Sequence, residues 1–565
     1  MRCKLPSAFT CALAASAVAF GCGRPAQTLV FLHADPATAP GADVLRVEVY
    51  SEGELVYGPG EHAADRTGTQ LARVPIVPRD DDVTRTFELH AELLRDGAPV
   101  SELRVQSGYV RSSLREIHAW FDPDCEGELD CGAGRTCAGG TCVASCFDAL
   151  PVVDAAEPSR PRCGECNRCT SNRCEPLGDG TACGCAADAC AGGKCRVASP
   201  VTDFDGAQGH ACAVSNGDLY CWGDGHASRI PVTTDVPLRI ADTDGARAIA
   251  TMDSGATCIA LTRSGPVDLR ACWGWNPDGG LAVGATEPEV TAPVFAPAGD
   301  PPWLDIEAGL NHFCGLSRSK QIYCWGTDGR AVGDPSTGTA WSMPIAMSEE
   351  TAFSRLDTDW QTTCAVHADG RVVCFGLNDY LQAGHTDPAA VAPGCVEAAD
   401  GTCARGFTDV SVSVSVACGI RDGQIACWGA SSAIRPADVP AAHAALVSDL
   451  RGFTRIDVGV DFACAIREPG ELYCWGDNGA GQLGQGDLLS RATPTRVVLT
   501  LDRRFTLVRA TGSTACALDD LGALYCWGLD LAWVPGSDVG VPGLLGLGPL
   551  PGPSVARPRR VCIGP

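Results

Sequence analysis

Seven pairs of closely spaced cysteines recur along the C-terminal two-thirds of the chain, at 212/221, 258/272, 314/324, 364/374, 418/427, 464/474 and 516/526. First members of successive pairs stand 46 to 56 residues apart. A period near fifty residues points to a propeller or solenoid, in which each repeat buries its apolar face only against its neighbours. "CAVSNGDLYCWG" from Cys212, "CAIREPGELYCWG" from Cys464 and "CALDDLGALYCWG" from Cys516 show the unit best. An alternating apolar run, a polar turn with glycine and a second alternating run spell a β-hairpin. Opposed residues of a non-hydrogen-bonded antiparallel pair have Cα atoms about 4.5 Å apart, within reach of a disulfide. The expected bonds are Cys212–Cys221, Cys258–Cys272, Cys314–Cys324, Cys364–Cys374, Cys418–Cys427, Cys464–Cys474 and Cys516–Cys526, with Cys395–Cys403 closing an insertion.

Strand alternation puts Leu472 and Cys474 on one face of the hairpin, Tyr473 and Trp475 on the other. A tryptophan once per repeat (Trp222, Trp273, Trp325, Trp428, Trp475, Trp527) reads as blade-to-blade packing rather than a ligand cage, and Phe375 fills that place in the fourth copy. Gly476 allows a sharp turn.

"ELYCWGDNGAGQLGQG" at 471–486 resembles the regulator of chromosome condensation repeat, and "CWGWNPDGGLAVG" and "CFGLNDYLQAG" keep its frame with losses. The first, fifth and seventh copies lack most of the tail; a histidine ahead of the first cysteine survives as His210 and His312. The resemblance implies an all-β chain whose residues 199–565 form a seven-bladed β-propeller. In that family the founder exchanges nucleotide on a small GTPase at chromatin, and other members are protein-binding modules, including extracellular bacterial ones. A formal charge of −25 at pH 7 opposes phosphate and nucleic-acid surfaces, so the chromatin role is not carried over.

Thirty-three cysteines suit an oxidising compartment. Residues 1–21 read as a signal peptide, basic at Arg2 and Lys4 and then apolar. "VAFGC" resembles the lipobox of bacterial lipoproteins, with Phe20 bulkier than usual, so Cys22 is the expected acylated residue and 22–27 a tether. Plain signal cleavage to a periplasmic or secreted product is the alternative. Residues 28–122 contain no cysteine, and "TLVFLHAD", "DVLRVEVYSE", "RTFELHAELL", "SELRVQSGYV" and "REIHAWFD" alternate over strand lengths, which predicts a small β-sandwich. Asp80, Asp81 and Asp82 read as a solvated tip, with calcium the alternative. Residues 123–198 hold thirteen cysteines and almost no aliphatic core, a disulfide-held irregular stalk. Zinc or redox readings of "CGECNRC" compete with it. Cysteine parity pairs Cys562 with a stalk cysteine where the propeller must close.

The chain contains no Gly-x-Ser-x-Gly elbow, His-Glu-x-x-His helix, P-loop or dinucleotide fingerprint. His210, His226, His312, His367, His385 and His443 follow no ligand spacing, and neither catalytic residues, a metal nor a cofactor is expected. The expected function is an exported, outer-membrane-anchored monomer that binds a protein or glycan without catalysis and touches membrane only through its acyl chain. Loops on one propeller face would make the contacts, with Glu287 to Asp305, Pro388 to Phe407 and Leu529 to Pro558 as candidates. The alternatives are a polymer hydrolase or lyase with its site at the channel and, below it, a nucleotide exchange factor.

Overall fold

The computed structural model describes residues 27–563, apart from 35–38, 40, 52–53, 65–69, 79–84, 110–113, 122–134, 139–140, 146–149, 152–166, 171–172, 177–184, 186–187, 192–193, 226–232, 263–267, 328–340, 390–391, 399, 437–438, 498–502, 533–540, 549 and 551. Seven strands open the described chain: β1 Gln27–Ala34, β2 Val44–Ser51, β3 Glu54–Ala63, β4 Gln70–Ile76, β5 Thr86–Arg95, β6 Ala98–Gly108 and β7 Leu114–Phe121. One sheet runs β3-β2-β5-β6. The other runs β4-β1-β7, with β1 and β7 parallel, and takes its last strand, Leu150–Pro151, from the cysteine-rich segment. Period-two alternation drives the facing sheets together: Leu45, Val47 and Val49 of β2 and Phe87, Leu89, Ala91 and Leu93 of β5 turn inward onto Val30, Leu32, Ile117 and Phe121. Strand β3 escaped the sequence pattern because Gly58, Pro59 and Gly60 interrupt its alternation and it lies exposed along its length.

The cysteine-rich segment is not wholly irregular. Among the described residues three two-stranded hairpins cross it, and each sets two cysteines opposite one another in register: Cys137 with Cys142, Cys169 with Cys174, Cys190 with Cys195.

Seven four-stranded antiparallel sheets follow. Their innermost strands are Val201–Gly206, Ala246–Met252, Trp303–Ala308, Phe353–Asp359, Phe407–Val412, Phe453–Val458 and Phe505–Thr511, for blades 1 to 7. Blade 6 is typical, continuing through Phe462–Arg467 and Glu471–Gly476 to an outer strand Arg491–Arg496. Both faces of its hairpin are buried, in opposite directions. Cys464, Cys474, Ile466 and Leu472 pack on Phe505, Val508 and Trp527 of blade 7. Tyr473 and Trp475 pack on Val416, Cys418, Cys427 and Ile434 of blade 5. Gly476 has φ 108°, and a Cβ there would stand 2.4 Å from the Asp461 carbonyl, so only glycine fits this bulge. In five blades the outer strand carries proline (Pro237, Pro293, Pro344, Pro494, Pro558) one residue before the register partner of the second cysteine. An edge strand needs no N–H there, and proline blunts it against pairing with other chains.

All four strands of blade 7 come from the end of the chain, the outermost being Ser554–Val561, and blade 1 begins with the entering strand. No shared strand locks the ring. Closure rests on Val201 N–H to the Gly522 carbonyl at 2.9 Å, Thr511 Oγ1 to the Gly206 carbonyl at 2.6 Å, Trp222 Nε1 to the Leu544 carbonyl at 2.8 Å, and a Cys185–Cys562 disulfide. The sandwich meets the rim at blade 7, where the Arg557 guanidinium lies over the Trp120 ring.

Candidate functional site

Each blade's innermost strand has one edge with no strand beside it, so its N–H groups need other acceptors. Several of these acceptors come from one register position, opposite the first cysteine of the blade. Asp205, Glu307, Asp357 and Asp457 hold it in blades 1, 3, 4 and 6, and Ala250, Ser411 and Arg509 in blades 2, 5 and 7. Asp205 Oδ2 accepts from Thr251 N at 2.7 Å and Thr251 Oγ1 at 2.9 Å. Asp357 Oδ2 accepts from Val412 N at 2.6 Å, Ser411 Oγ from Val458 N at 3.0 Å, and Asp457 Oδ2 from Ala510 N. Two residues earlier along the strand, Asp203 and Asp409 do the same for Ile249 and Ile456. A carboxylate in one blade thus stitches the backbone of the next.

Arg509 breaks the pattern. It donates no link to its neighbour but crosses the channel to Glu307 Oε1, Nη2 to oxygen 2.9 Å, joining blade 7 to blade 3. Burial alone would lower its pKa; Glu307, then Asp457, Asp205 and Asp203 outweigh that and hold it well above its ordinary value. Burial pushes the acids up: Asp203 to about 7, Asp357 to about 6, and Asp359, beside Asp253 and Asp357, to about 8. The residues lining the channel include Asp205, Asp253, Glu307, Asp357, Asp457 and Arg509. Among the described residues no group of three or more histidine, cysteine or carboxylate side chains is arranged to hold a metal. Chemically the channel is a hub: its carboxylates are committed to backbone amides or to the crossing guanidinium. The sequence signal is the acidic residues ahead of the cysteine pairs of blades 1, 3, 4 and 6 ("DFDG", "DIEAG", "LDTD", "RIDVG"), which bulk charge alone does not single out.

The seven hairpin cysteine pairs stand opposite one another in register and are joined, their Cα atoms 4.0–4.1 Å apart; Cys395 is joined to Cys403 at 5.5 Å. Cys562 is joined to Cys185, and Arg560 pairs with Asp188 beside that bond. Cys22, Asp80, Asp81, Asp82, Cys163, Cys166 and His226 lie outside the described residues. His210 and His312 are buried between blades, Nε2 to Thr257 Oγ1 at 2.7 Å and to Thr358 Oγ1 at 2.8 Å. His385 meets the Cys374 carbonyl, and His367 lies beside Asp369.

The tail after Cys-Trp-Gly folds around an asparagine. Asn478 Oδ1 accepts from Leu483 N at 2.9 Å, while its Nδ2 donates to the Asp487 and Leu489 carbonyls. Asn276 and Asn378 repeat this in blades 2 and 4, and Asp530 accepts from Leu545 N in blade 7. Tryptophans of the following blades dock on three of these tails, Trp428 Nε1 on the Gln382 carbonyl, Trp527 on Gln482 and Trp222 on Leu544, and Trp475 makes the same bond to Ile434 of blade 5.

Antiparallel order sends first-to-second turns and third-to-fourth connections to one end of the ring, and all other connections to the opposite end, where the chain enters at Val201. The three candidate insertions do not converge. Glu287 to Asp305 contains the outer strand of blade 2 and a connection at the entry end. Pro388 to Phe407 contains the outer strand of blade 4 and the Cys395–Cys403 loop at that same end. Leu529 to Pro558 lies at the opposite, free end and includes most of the outer strand of blade 7. Sequence length alone marked them as loops, but they include strands that only sheet pairing reveals.

A family model described as regulator of chromosome condensation (RCC1) repeat matches residues 469–518, and a second of that description matches 303–330 and 453–482. Among curated proteins the chain is similar to "RCC1 domain-containing protein RUG3, mitochondrial" of Arabidopsis thaliana, 25% identical over 349 residues, 59% of this chain and 66% of that one. It is also similar to "Ultraviolet-B receptor UVR8" of the same plant, 24% identical over 316 residues, 54% of this chain and 59% of the receptor. The chain therefore spans less than two-thirds of the length of either relative. Among solved structures it is similar to Prp20p from Saccharomyces cerevisiae, whose structure is titled with its binding to Gsp1p and histones. Identity is 16% and the TM-score 0.50, over 65% of this chain and 87% of that one, a likeness of fold.

Proposed function

We propose that this chain, whose propeller carries matches to the regulator of chromosome condensation repeat, is an exported, lipid-anchored binding protein whose propeller engages a macromolecular partner without catalysis. A binding or regulatory propeller is what the fold supports. One observation carries the non-catalytic reading: the channel acids are hydrogen-bonded to neighbouring blades and crossed by Arg509, which leaves loops rather than the channel to meet a partner. Seven buried hairpin disulfides and the Cys185–Cys562 closure favour an oxidising compartment, because such bonds are rarely kept in a reducing cytosol. Cys22 is the proposed acyl anchor, at the outer membrane, and the mature protein a monomer.

Two measurements test this. Full-length oxidised protein used as bait in envelope extracts is expected to retain one stoichiometric protein or glycan partner. Turnover of an extracellular polymer by the same protein, abolished by Asp357→Asn, would instead establish an enzyme. Fatty-acid labelling is expected to vanish in Cys22→Ala, and recovery of the protein in the cytosol would reopen nucleotide exchange.

A further inference from the structure

The disulfides of the propeller differ in how far an outside thiol can reach them. In the seven hairpin bonds thirteen of the fourteen cysteines are 0% exposed, and Cys516 is 9% exposed. Cys395 and Cys403 are half-buried, and their bond closes a loop inside blade 4. Cys562 is exposed and its partner Cys185 half-buried. Their bond fastens the last strand of blade 7, Ser554–Val561, to the chain that enters at Val201.

The seam this bond closes is thinly held. Blade 7 has Leu507 and Arg509 at the register positions from which Asp203 and Asp205 reach the backbone of blade 2, so no carboxylate stitches blade 7 to blade 1 there. A gap of about 20 Å³ lies between the two blades, with Phe204, Trp222, Thr511 and Leu544 in its lining. Beside the bond, Asp188 accepts from Cys185 N at 3.1 Å and from Ala198 N at 2.8 Å, and it pairs with Arg560 on the strand that leads to Cys562. Both side chains of that pair are buried. They hold the two cysteines near one another without the help of the covalent bond.

Exchange needs a thiolate to approach a disulfide sulfur, so access decides which bond yields. We propose that Cys562 is a thiol–disulfide exchange site, where a dithiol protein opens the Cys185–Cys562 bond and loosens the seam between blades 7 and 1. The seven hairpin bonds stay intact. One thiolate of the dithiol attacks the Cys562 sulfur; the Cys185–Cys562 bond breaks, and a mixed disulfide forms on Cys562. Cys185 leaves as a thiolate and takes a proton from water. The second thiol of the dithiol gives up its proton and attacks the sulfur of its own partner thiol, and Cys562 leaves and is protonated in turn. The dithiol ends as a disulfide and this chain as two thiols, a transfer of two electrons and two protons. Arg560 and Asp188 keep the freed thiols close, so oxidation restores the same bond. The exchange changes how often the seam opens and leaves each blade folded. It depends neither on what the propeller binds nor on the acyl anchor.

The test treats the full-length oxidised protein with limiting dithiothreitol, alkylates the freed thiols and maps them by peptide mass. Cys185 and Cys562 are expected to be labelled about tenfold faster than any hairpin cysteine, with Cys395 and Cys403 in between. Changing Cys395 and Cys403 both to serine is expected to leave the rate at Cys562 within about twofold. After selective reduction, hydrogen exchange is expected to rise in blades 1 and 7 and to stay unchanged in blades 3, 4 and 5. A glutathione redox buffer is expected to restore the bond, about tenfold more slowly in Arg560→Gln. Hairpin cysteines labelled as fast as Cys562 would overturn the proposal. So would hydrogen exchange that stays unchanged in blades 1 and 7, or rises equally in every blade, once the bond is reduced.

Discussion

The two ends of this propeller are built from the same hairpin repeated seven times, yet they differ in what holds their connections together. At the entry end carboxylates meet arginines across turns and connections, as Asp369 does with Arg371 and Arg405, and the Cys185–Cys562 bond ties the last strand to the incoming chain. At the free end the tails of blades 2, 4 and 6 fold around Asn276, Asn378 and Asn478, whose side-chain amides clamp the backbone within each tail. Between them the channel acids stitch blade to blade around Arg509. The difference teaches that the repeat fixes the body and that its turns decide what each end does. Ion pairs and the Cys185–Cys562 bond bind parts of the entry end, and side-chain amides shape the tails at the free end.

The sharpest way to break this division is to remove the bridge between blades 7 and 3. Arg509→Met strands Glu307 in a buried site, and unfolding free energy is expected to fall by about 3–5 kcal/mol; a double variant with Glu307→Gln should recover part of it. Next comes the entry-end latch. Changing Cys185 and Cys562 both to serine frees a loop whose ends lie 377 residues apart, with an expected loss of about 4 kcal/mol in denaturant unfolding. Hydrogen exchange should then rise first in blades 1 and 7.

Acidity separates channel from entry end. Burial raises Asp203, Asp357 and Asp359 to about 7, 6 and 8, whereas unfolded carboxyls titrate near about 4. The folded chain therefore holds protons that the unfolded chain has lost, and this contribution is full below about pH 4 and disappears as pH rises through about 6 to 8. At Asp369 the sign is opposite: hydrogen bonds led by Arg405 outweigh desolvation and hold its pKa below the usual carboxylate range. Its contribution is present above about pH 4 and lost in stronger acid. The denaturant midpoint is expected to be lower at about pH 8.5 than at about pH 5.5, and Asp359→Asn should flatten that slope.

A smaller effect is expected at the free-end seam of the closure. Trp222→Phe leaves the buried Leu544 carbonyl without its donor, costing about 1–3 kcal/mol by thermal or chemical unfolding. Smallest is the entry-end surface: Glu471→Gln loses exposed contacts to Arg467 and Arg496, and stability should change by less than about 1 kcal/mol. A larger loss there would show that the entry-end pairs act as a network rather than as screened surface pairs.

Much of the body was legible because it depends on local rules. The spacing Cys464 to Cys474 with a glycine turn between them specifies a hairpin, and alternation specifies which face carries Trp475. What escaped were features with distant causes. Strand β3 has no alternation to read, since its glycines and proline interrupt it. Pro237, Pro344 and Pro494 look like loop residues until outer-strand pairing places them at bulges. The candidate insertions looked like a single binding surface, but antiparallel order distributes them to opposite ends.

By itself the sequence determined the repeat: seven cysteine-stapled hairpins, each with two faces that must be covered, because apolar period and turn chemistry act over a dozen residues. Only the tertiary structure decided that Arg509 reaches Glu307 and that Cys562 finds Cys185. Those contacts join residues hundreds of positions apart. They exist only once the ring has brought blades 1 and 7 side by side.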